Sequence, residues 1–299
     1  MPTDKITRLF APSLVALALV VPLASSAQLV DGQPTNETQV AARRENVPAN
    51  TNLPSVFFIG DSTVRNGHGL GDGGQWGWGD QIATYFDTTR INVVNRALGG
   101  TTARTYYRDF WPRTLSLIKS GDVVLMQFGT NGGPINDASR ARGELHGIGD
   151  ESQAITNQVT KKFEVVHTFG WYELKMVAEA RAKGATPIIC SLIPRNTWKE
   201  GHVVPAGTNS AAGWAADAAV SGQVPFIDLN GIISRQYEQL GQAKVAALFV
   251  PNAGPHTSLA GARTNAQAVI AGLKGLPHYP LHDYLSPVAD GIAPAGKNN

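Results

Sequence analysis

Five short apolar runs constrain this chain more than any other feature. They are Val56-Phe57-Phe58-Ile59, Ile91-Asn92-Val93-Val94, Val123-Val124-Leu125-Met126, Pro187-Ile188-Ile189-Cys190 and Pro225-Phe226-Ile227. A strand with one wet face alternates polar and apolar residues; a strand covered on both faces does not need to. Runs of this length, rich in Val and Ile, therefore suit the buried strands of a parallel sheet. Longer stretches with helical spacing lie between them. Leu174, Val177 and Ala178 share a face with Arg181 ahead of Gly184, a plausible stop. Leu259, Ala262, Ala266, Val269, Ile270 and Leu273 form a longer stripe, with Ser258 at its N-cap position and Gly275 at its end. Strand and helix in alternation predict one doubly wound α/β domain. Such sheets bind ligands at the carboxyl ends of their strands. Residues 66–74 and 129–165 read as irregular, and long loops in a compact domain often carry function.

Composition supports a single large core. Of 299 residues, 42% are hydrophobic and 16% charged, against a usual ~25% charged. The formal net charge is +2, so no broad basic field exists to hold a nucleic-acid backbone. A single cysteine, Cys190, excludes an internal disulfide framework and a cysteine-based zinc site. It follows two isoleucines in an expected buried strand, where a core thiol suits it better than a nucleophile.

The chain opens with Lys5 and Arg8, a mostly apolar run from Leu9 to Ala24, and the small residues Ser25-Ser26-Ala27. That is the pattern of a cleaved secretion signal. The run is shorter than a spanning helix needs, and Pro12 and Pro22 interrupt it. The expected organisation is a signal peptide over residues 1–27, a flexible leader over 28–54, and one domain over 55–299 with a Pro-rich C-terminal tail. The expected location is secreted or periplasmic, without stable membrane insertion after cleavage, and as a monomer.

The chemistry should therefore lie just after the apolar runs. Gly60-Asp61-Ser62 follows the first, Asn95-Arg96-Ala97-Leu98-Gly99-Gly100 the second and Gly129-Thr130-Asn131 the third. His256 precedes the last helix. Together they supply a hydroxyl, an imidazole, a backbone donor and a side-chain amide, the parts that acyl transfer needs. Each has a plainer use when taken alone. Ser62 can cap a turn, Gly100 can simply turn the chain, and Asn131 can sit in a turn before Gly132-Gly133. The usual hydrolase elbow, G-x-S-x-G, is absent, because Val64 stands at its second glycine.

As an ordered set, these residues resemble the four blocks of the SGNH (GDSL-like) hydrolases. The resemblance is closer to the branch of bacterial rhamnogalacturonan acetylesterases. It extends through Gly77-Trp78-Gly79-Asp80-Gln81, Phe128-Gly129-Thr130-Asn131-Gly132-Gly133, Glu164-Val165-Val166-His167-Thr168, Ile193-Pro194-Arg195-Asn196 and His256-Thr257-Ser258-x-Ala260-Gly261-Ala262. It implies a three-layer flavodoxin-like sandwich around a central, mainly parallel five-stranded sheet, and removal of acetyl groups from pectic polysaccharide. Ser62 would be the nucleophile and His256 the base. The N–H groups of Ser62 and Gly100 and the amide of Asn131 would form the oxyanion hole, with no cofactor and no metal.

Two positions depart from the family pattern. Ala253 stands three residues before His256, where the family carries an orienting aspartate, and Gly132 replaces the second acid of Gly-x-Asn-Asp. The first departure implies a Ser–His dyad or an acid recruited from elsewhere. It also keeps open a weakly active carbohydrate-binding relic, beside the alternative of a lipase- or thioesterase-type esterase. Gly69-x-Gly71-x-x-Gly74 fits a dinucleotide fingerprint but does not join a strand to a helix, so a lip on the site suits it better. The seven histidines lack metal-ligand spacing. Arg104, Arg108 and Arg113 are candidates to face an acidic sugar or to form a solvated helix face. Trp76 and Trp78 are candidates to stack on sugar rings or to pack in the interior.

Overall fold

The computed structural model describes residues 46–277 and 281–296. The expected signal segment and the leader through residue 45 lie outside the described residues. In chain order the strands are β1 (Ser55–Gly60), β2 (Asn92–Asn95), β3 (Val123–Gln127), β4 (Ser152–Thr156), β5 (Phe163–His167), β6 (Thr186–Cys190), β7 (Trp198–Lys199), β8 (His202–Val203) and β9 (Phe226–Ile227). The five expected strands are β1, β2, β3, β6 and β9. They form one sheet in the order β2-β1-β3-β6-β9, every pair parallel. The remaining strands make two small antiparallel hairpins, β4–β5 and β7–β8.

The helices are α1 (Ala103–Asp109), α2 (Trp111–Leu115), α3 (Phe169–Ala182), α4 (Ala211–Ser221), α5 (Leu229–Leu240), α6 (Gln242–Ala246) and α7 (Leu259–Gly275). Alternate strand residues feed two cores. Val56, Phe58, Val123, Leu125 and Ile188 pack with Ile233 and Tyr237 of α5 and Ala266, Val269 and Leu273 of α7. Phe57, Ile59, Val124, Met126 and Ile189 pack with Tyr106 of α1, Met176 and Ala180 of α3 and Ala215 and Ala218 of α4. Both faces of the sheet are thus covered, which is why the strand sequences do not alternate. Cys190 lies fully buried in the first core, and burial pushes its thiol up.

Helix α7 has the expected stripe, and Ser258 caps it by accepting the Gly261 N–H at 3.3 Å. Helix α3 corrects the expected stripe. Its buried face is Phe169, Tyr172, Glu173, Met176, Val177 and Ala180, while Ala178 and Arg181 face solvent. A carboxylate on the inward face displaces a reading based on apolar spacing. The stretch 129–165, expected to be irregular, contains β4 and the start of β5; β4 is exposed at four of its five positions, three of them polar.

Residues 46–54 lie against β2. Asn50 N–H donates to Asn92 Oδ1 at 3.0 Å, and Asn46 Nδ2 donates to the Asn95 carbonyl at 3.0 Å. In the tail, Leu281 and Ala289 are buried, and Lys274 Nζ donates to the carbonyls of Ala289 and Ile292. The strand order turns back at β1, which lies between β2 and β3. The crevice above the carboxyl ends of β1 and β3 is therefore the topological switch point, where this architecture places ligands.

Candidate active site

Ser62 stands two residues beyond β1, at that switch point. A Cβ on Gly60 would fall 2.3 Å from the Gln127 carbonyl oxygen and 2.6 Å from Val64 Cγ2, so only glycine passes there. The turn after it is capped by Asp61, not by Ser62. Asp61 Oδ1 accepts the Thr63 N–H at 2.9 Å and the Thr63 hydroxyl at 2.7 Å. The serine hydroxyl is left for another partner, and His256 Nε2 lies 2.9 Å from Ser62 Oγ. Ser62 is 3% exposed and sits at the floor of the crevice.

Asp61 also ties β1 to the loop after β3. Its Oδ2 accepts the Thr130 N–H at 3.2 Å, and Thr130 adjoins Asn131. The Asp61 carboxyl is fully buried; burial raises its pKa, and the donors from Thr63 and Thr130 pull it back. A buried chain continues beneath it. Trp78 Nε1–H donates to Gln127 Oε1 at 2.8 Å, and Gln127 Nε2 donates to Thr63 Oγ1 at 2.7 Å. Trp78 is 0% exposed, so it packs in the interior and does not stack on a sugar.

The two expected oxyanion donors beside Ser62 come to the same edge. Asn131 Nδ2 donates one hydrogen to the Thr101 carbonyl at 3.0 Å, which leaves its second N–H for a ligand. Gly100 has φ of 78°, a left-handed conformation that suits glycine. Among the described residues, neither the Ser62 nor the Gly100 backbone N–H donates to a backbone acceptor.

Sequence reasoning did not find the residues that hold these donors. Arg142 is buried, and its guanidinium donates to the Gly100 carbonyl at 2.7 Å and to the Gly132 carbonyl at 3.3 Å. Its own carbonyl accepts the Thr102 hydroxyl at 2.8 Å. Arg195 Nη2 donates to the Thr130 carbonyl at 3.1 Å. Arg195 lay in a motif already quoted; Arg142 carried no local signal. Of the arginines considered as sugar ligands, Arg104 is fully buried and makes a bidentate pair with Glu164 at 2.8 and 2.7 Å. Arg108 divides itself between Glu164 and Asp109, and Arg113 is exposed.

The His256 loop closes on itself. Val250 N–H donates to the His256 carbonyl at 3.1 Å, and His256 N–H to the Ala253 carbonyl at 3.4 Å. Ala253 thus offers the loop a backbone acceptor where the family pattern has a carboxylate. The Trp76 N–H donates to the Thr257 carbonyl at 2.9 Å and the Thr257 hydroxyl donates to the Trp76 carbonyl at 2.8 Å, so the Gly-rich loop is fastened to the histidine loop. Among the described residues no three His, Cys, Asp or Glu side chains are grouped to hold a metal ion, and no helix is long and apolar enough to cross a membrane.

A hydroxyl bonded to an imidazole, with N–H donors at the same sheet edge, fits acyl transfer. The model of the GDSL-like lipase/acylhydrolase family matches residues 58–264, and the chain belongs to that family of ester hydrolases. It is 30% identical over 218 residues to the rhamnogalacturonan acetylesterase of Emericella nidulans, across 72% of this chain and 83% of that protein. The probable rhamnogalacturonan acetylesterase YesY of Bacillus subtilis is 27% identical, across 74% of this chain and 94% of its own length. The crystal structure of B. subtilis YxiM has the same fold, with a TM-score of 0.59 at 24% identity; the match covers 74% of this chain and 56% of YxiM.

Proposed function

We propose that this chain is a secreted carbohydrate esterase that removes acetyl groups from pectic polysaccharide through a serine acyl-enzyme. The observation that carries the reading is the 2.9 Å contact between Ser62 Oγ and His256 Nε2 at the switch point. Two relatives named for rhamnogalacturonan acetyl groups support the substrate class. The charged and apolar opening of the sequence supports secretion.

In this mechanism Nε2 of a neutral imidazole takes the proton of Ser62, so the ring proton sits on Nδ1. Ser62 Oγ attacks the acetyl carbonyl carbon. The developing oxyanion receives the N–H groups of Ser62 and Gly100 and the second N–H of Asn131, worth about 3–4 kcal/mol for one such donor in a closed site. The tetrahedral intermediate collapses, and the imidazolium gives its proton to the departing sugar oxygen. Water then attacks the acetyl-enzyme by the same route, releasing acetate and restoring Ser62. Ala253 stands where the family pattern has an orienting acid, so Ser62 and His256 work as a dyad or with an acid recruited from elsewhere in the chain.

Acetate released from acetylated rhamnogalacturonan should fall by about 10⁴-fold or more in Ser62→Ala. Equal rates in the two proteins would sink the proposal. Saturable pectin binding without acetate release would instead make the chain a carbohydrate-binding protein, the reading that Ala253 favours.

A further inference from the structure

Three asparagines in this chain are followed by glycine: Asn66, Asn131 and Asn230. Such a pair can react with itself. The glycine nitrogen, once deprotonated, attacks the asparagine Cγ, and no Cβ on the glycine stands in the way. The peptide between the two residues must turn for the ring to close. What holds that peptide therefore decides where the reaction runs. Two of the three are held. The Asn66 carbonyl accepts the Gly69 N–H at 2.7 Å, and Asn66 is buried. Asn230 is buried in the first turn of α5, where the Gly231 N–H donates to Asp228 Oδ1 at 3.0 Å. Asn131 differs. Arg195 holds the carbonyl before its peptide, at Thr130, and Arg142 the carbonyl after it, at Gly132. Between those two anchors, among the described residues, neither the Asn131 carbonyl nor the Gly132 N–H makes a hydrogen bond. Gly132 is exposed to water, and a Cβ there would meet nothing within 4 Å.

We propose that Asn131 is a site of spontaneous covalent modification that shuts the oxyanion hole as the protein ages. The Gly132 nitrogen gives its proton to hydroxide and bonds to Asn131 Cγ. The Cγ–Nδ2 bond breaks, and Nδ2 takes a proton from water and leaves as ammonia. Water then adds to either carbonyl of the succinimide and opens the ring. The product is aspartate or, where the chain is rerouted through Cγ, isoaspartate; nothing is oxidised or reduced. This chemistry is independent of the ester reaction, and its effect on activity rests on the acetylesterase reading. A carboxylate accepts hydrogen bonds and cannot donate one. It would face the Thr101 carbonyl that the amide bonds at 3.0 Å, and it would set a negative charge where the oxyanion develops. Gly132, standing where the family pattern has a second acid, opens this route in the present chain.

The test reads mass and rate together. The protein is kept in mildly alkaline and in mildly acidic buffer, and its digest is followed by mass spectrometry. The peptide bearing Asn131 should lose ammonia and then gain water, faster in the alkaline sample, and isoaspartyl methyltransferase should label it. The peptides bearing Asn66 and Asn230 should stay intact. Acetate release should decline in step, toward the rate of Asn131→Asp, about 10²–10³-fold below the starting protein. Gly132→Ala should slow conversion and decline about ten-fold, each relative to its own start, because the added Cβ has room in the fold but crowds the ring. An intact Asn131 peptide overturns the proposal, as does equal conversion in the two buffers, or conversion as fast at Asn66 or Asn230. Conversion at the wild-type rate in Gly132→Ala also overturns it, as does conversion that leaves acetate release at its starting rate. Conversion in a protein that released no acetate from the start overturns the acetylesterase reading and leaves the modification standing.

Discussion

Asp61 and Glu173 both carry fully buried carboxyl groups, and they live differently. Asp61, at the catalytic edge, accepts three hydrogen bonds from Thr63 and Thr130. Glu173, on the inward face of α3, accepts none among the described residues on either oxygen. Burial raises the pKa of both. For Asp61 the donors oppose that push. For Glu173 nothing opposes it, and the charge of Glu144 adds to it, so its carboxyl stands well above the usual range and is held neutral. Glu144 itself, close by, is pushed up to about 7 by burial. The donors decide whether a buried carboxyl becomes a clamp between loops or a neutral filler of the core.

The sharpest way to break this contrast is to make both groups amides. Asp61→Asn puts a donor against either the Thr63 or the Thr130 N–H, with an expected cost of about 1–3 kcal/mol in denaturant unfolding. The Thr130–Asn131 loop would lose its anchor, and up to ~10²-fold in kcat should go with it, approaching the worth of one oxyanion donor. An unchanged kcat would show that Asp61 does not position Asn131. Next in size is a gain. Ala253→Asp should raise kcat about tenfold or more if His256 works without an orienting acid, since an equivalent carboxylate carries about 10⁴ in serine proteases. No gain in steady-state acetate release would show that the imidazole is already well held.

The smallest expected effect is at Glu173. Its raised pKa means that the folded state keeps a proton which the unfolded chain releases above about 4.5. This contribution to stability is complete below that pH and declines as pH rises, with the part due to Glu144 lost by about pH 7. Melting temperature should therefore fall between about pH 4.5 and 7 in wild type and fall less in Glu173→Gln, with kcat unchanged. A slope identical in the two proteins would place the pH dependence elsewhere.

The same contrast explains what the sequence disclosed. The five strands were legible because residues buried on both faces must be apolar at every position, a signal that survives without tertiary context. Ser62, Gly100, Asn131 and His256 were legible because such an architecture puts them just beyond strand ends or before a helix. Glu173 hid the face of α3, since spacing rules send a carboxylate outward. The β4–β5 hairpin was hidden because Ser152, Gln153, Ala154 and Thr156 are exposed and polar or small. Arg142 was hidden for a different reason: its bonds go to backbone carbonyls at Gly100 and Gly132, and no residue type at either end announces them.

Ser62 and His256 touch across 194 residues of chain. Their contact is among the last that synthesis from the N-terminus permits, because β3, β6 and β9 all precede His256 in the chain. Closing so long a loop is slow relative to local helix formation. A growing chain can therefore complete most of its sheet while chemically silent. On the proposed mechanism, a truncation anywhere before His256 yields a body that holds the hydroxyl without its imidazole.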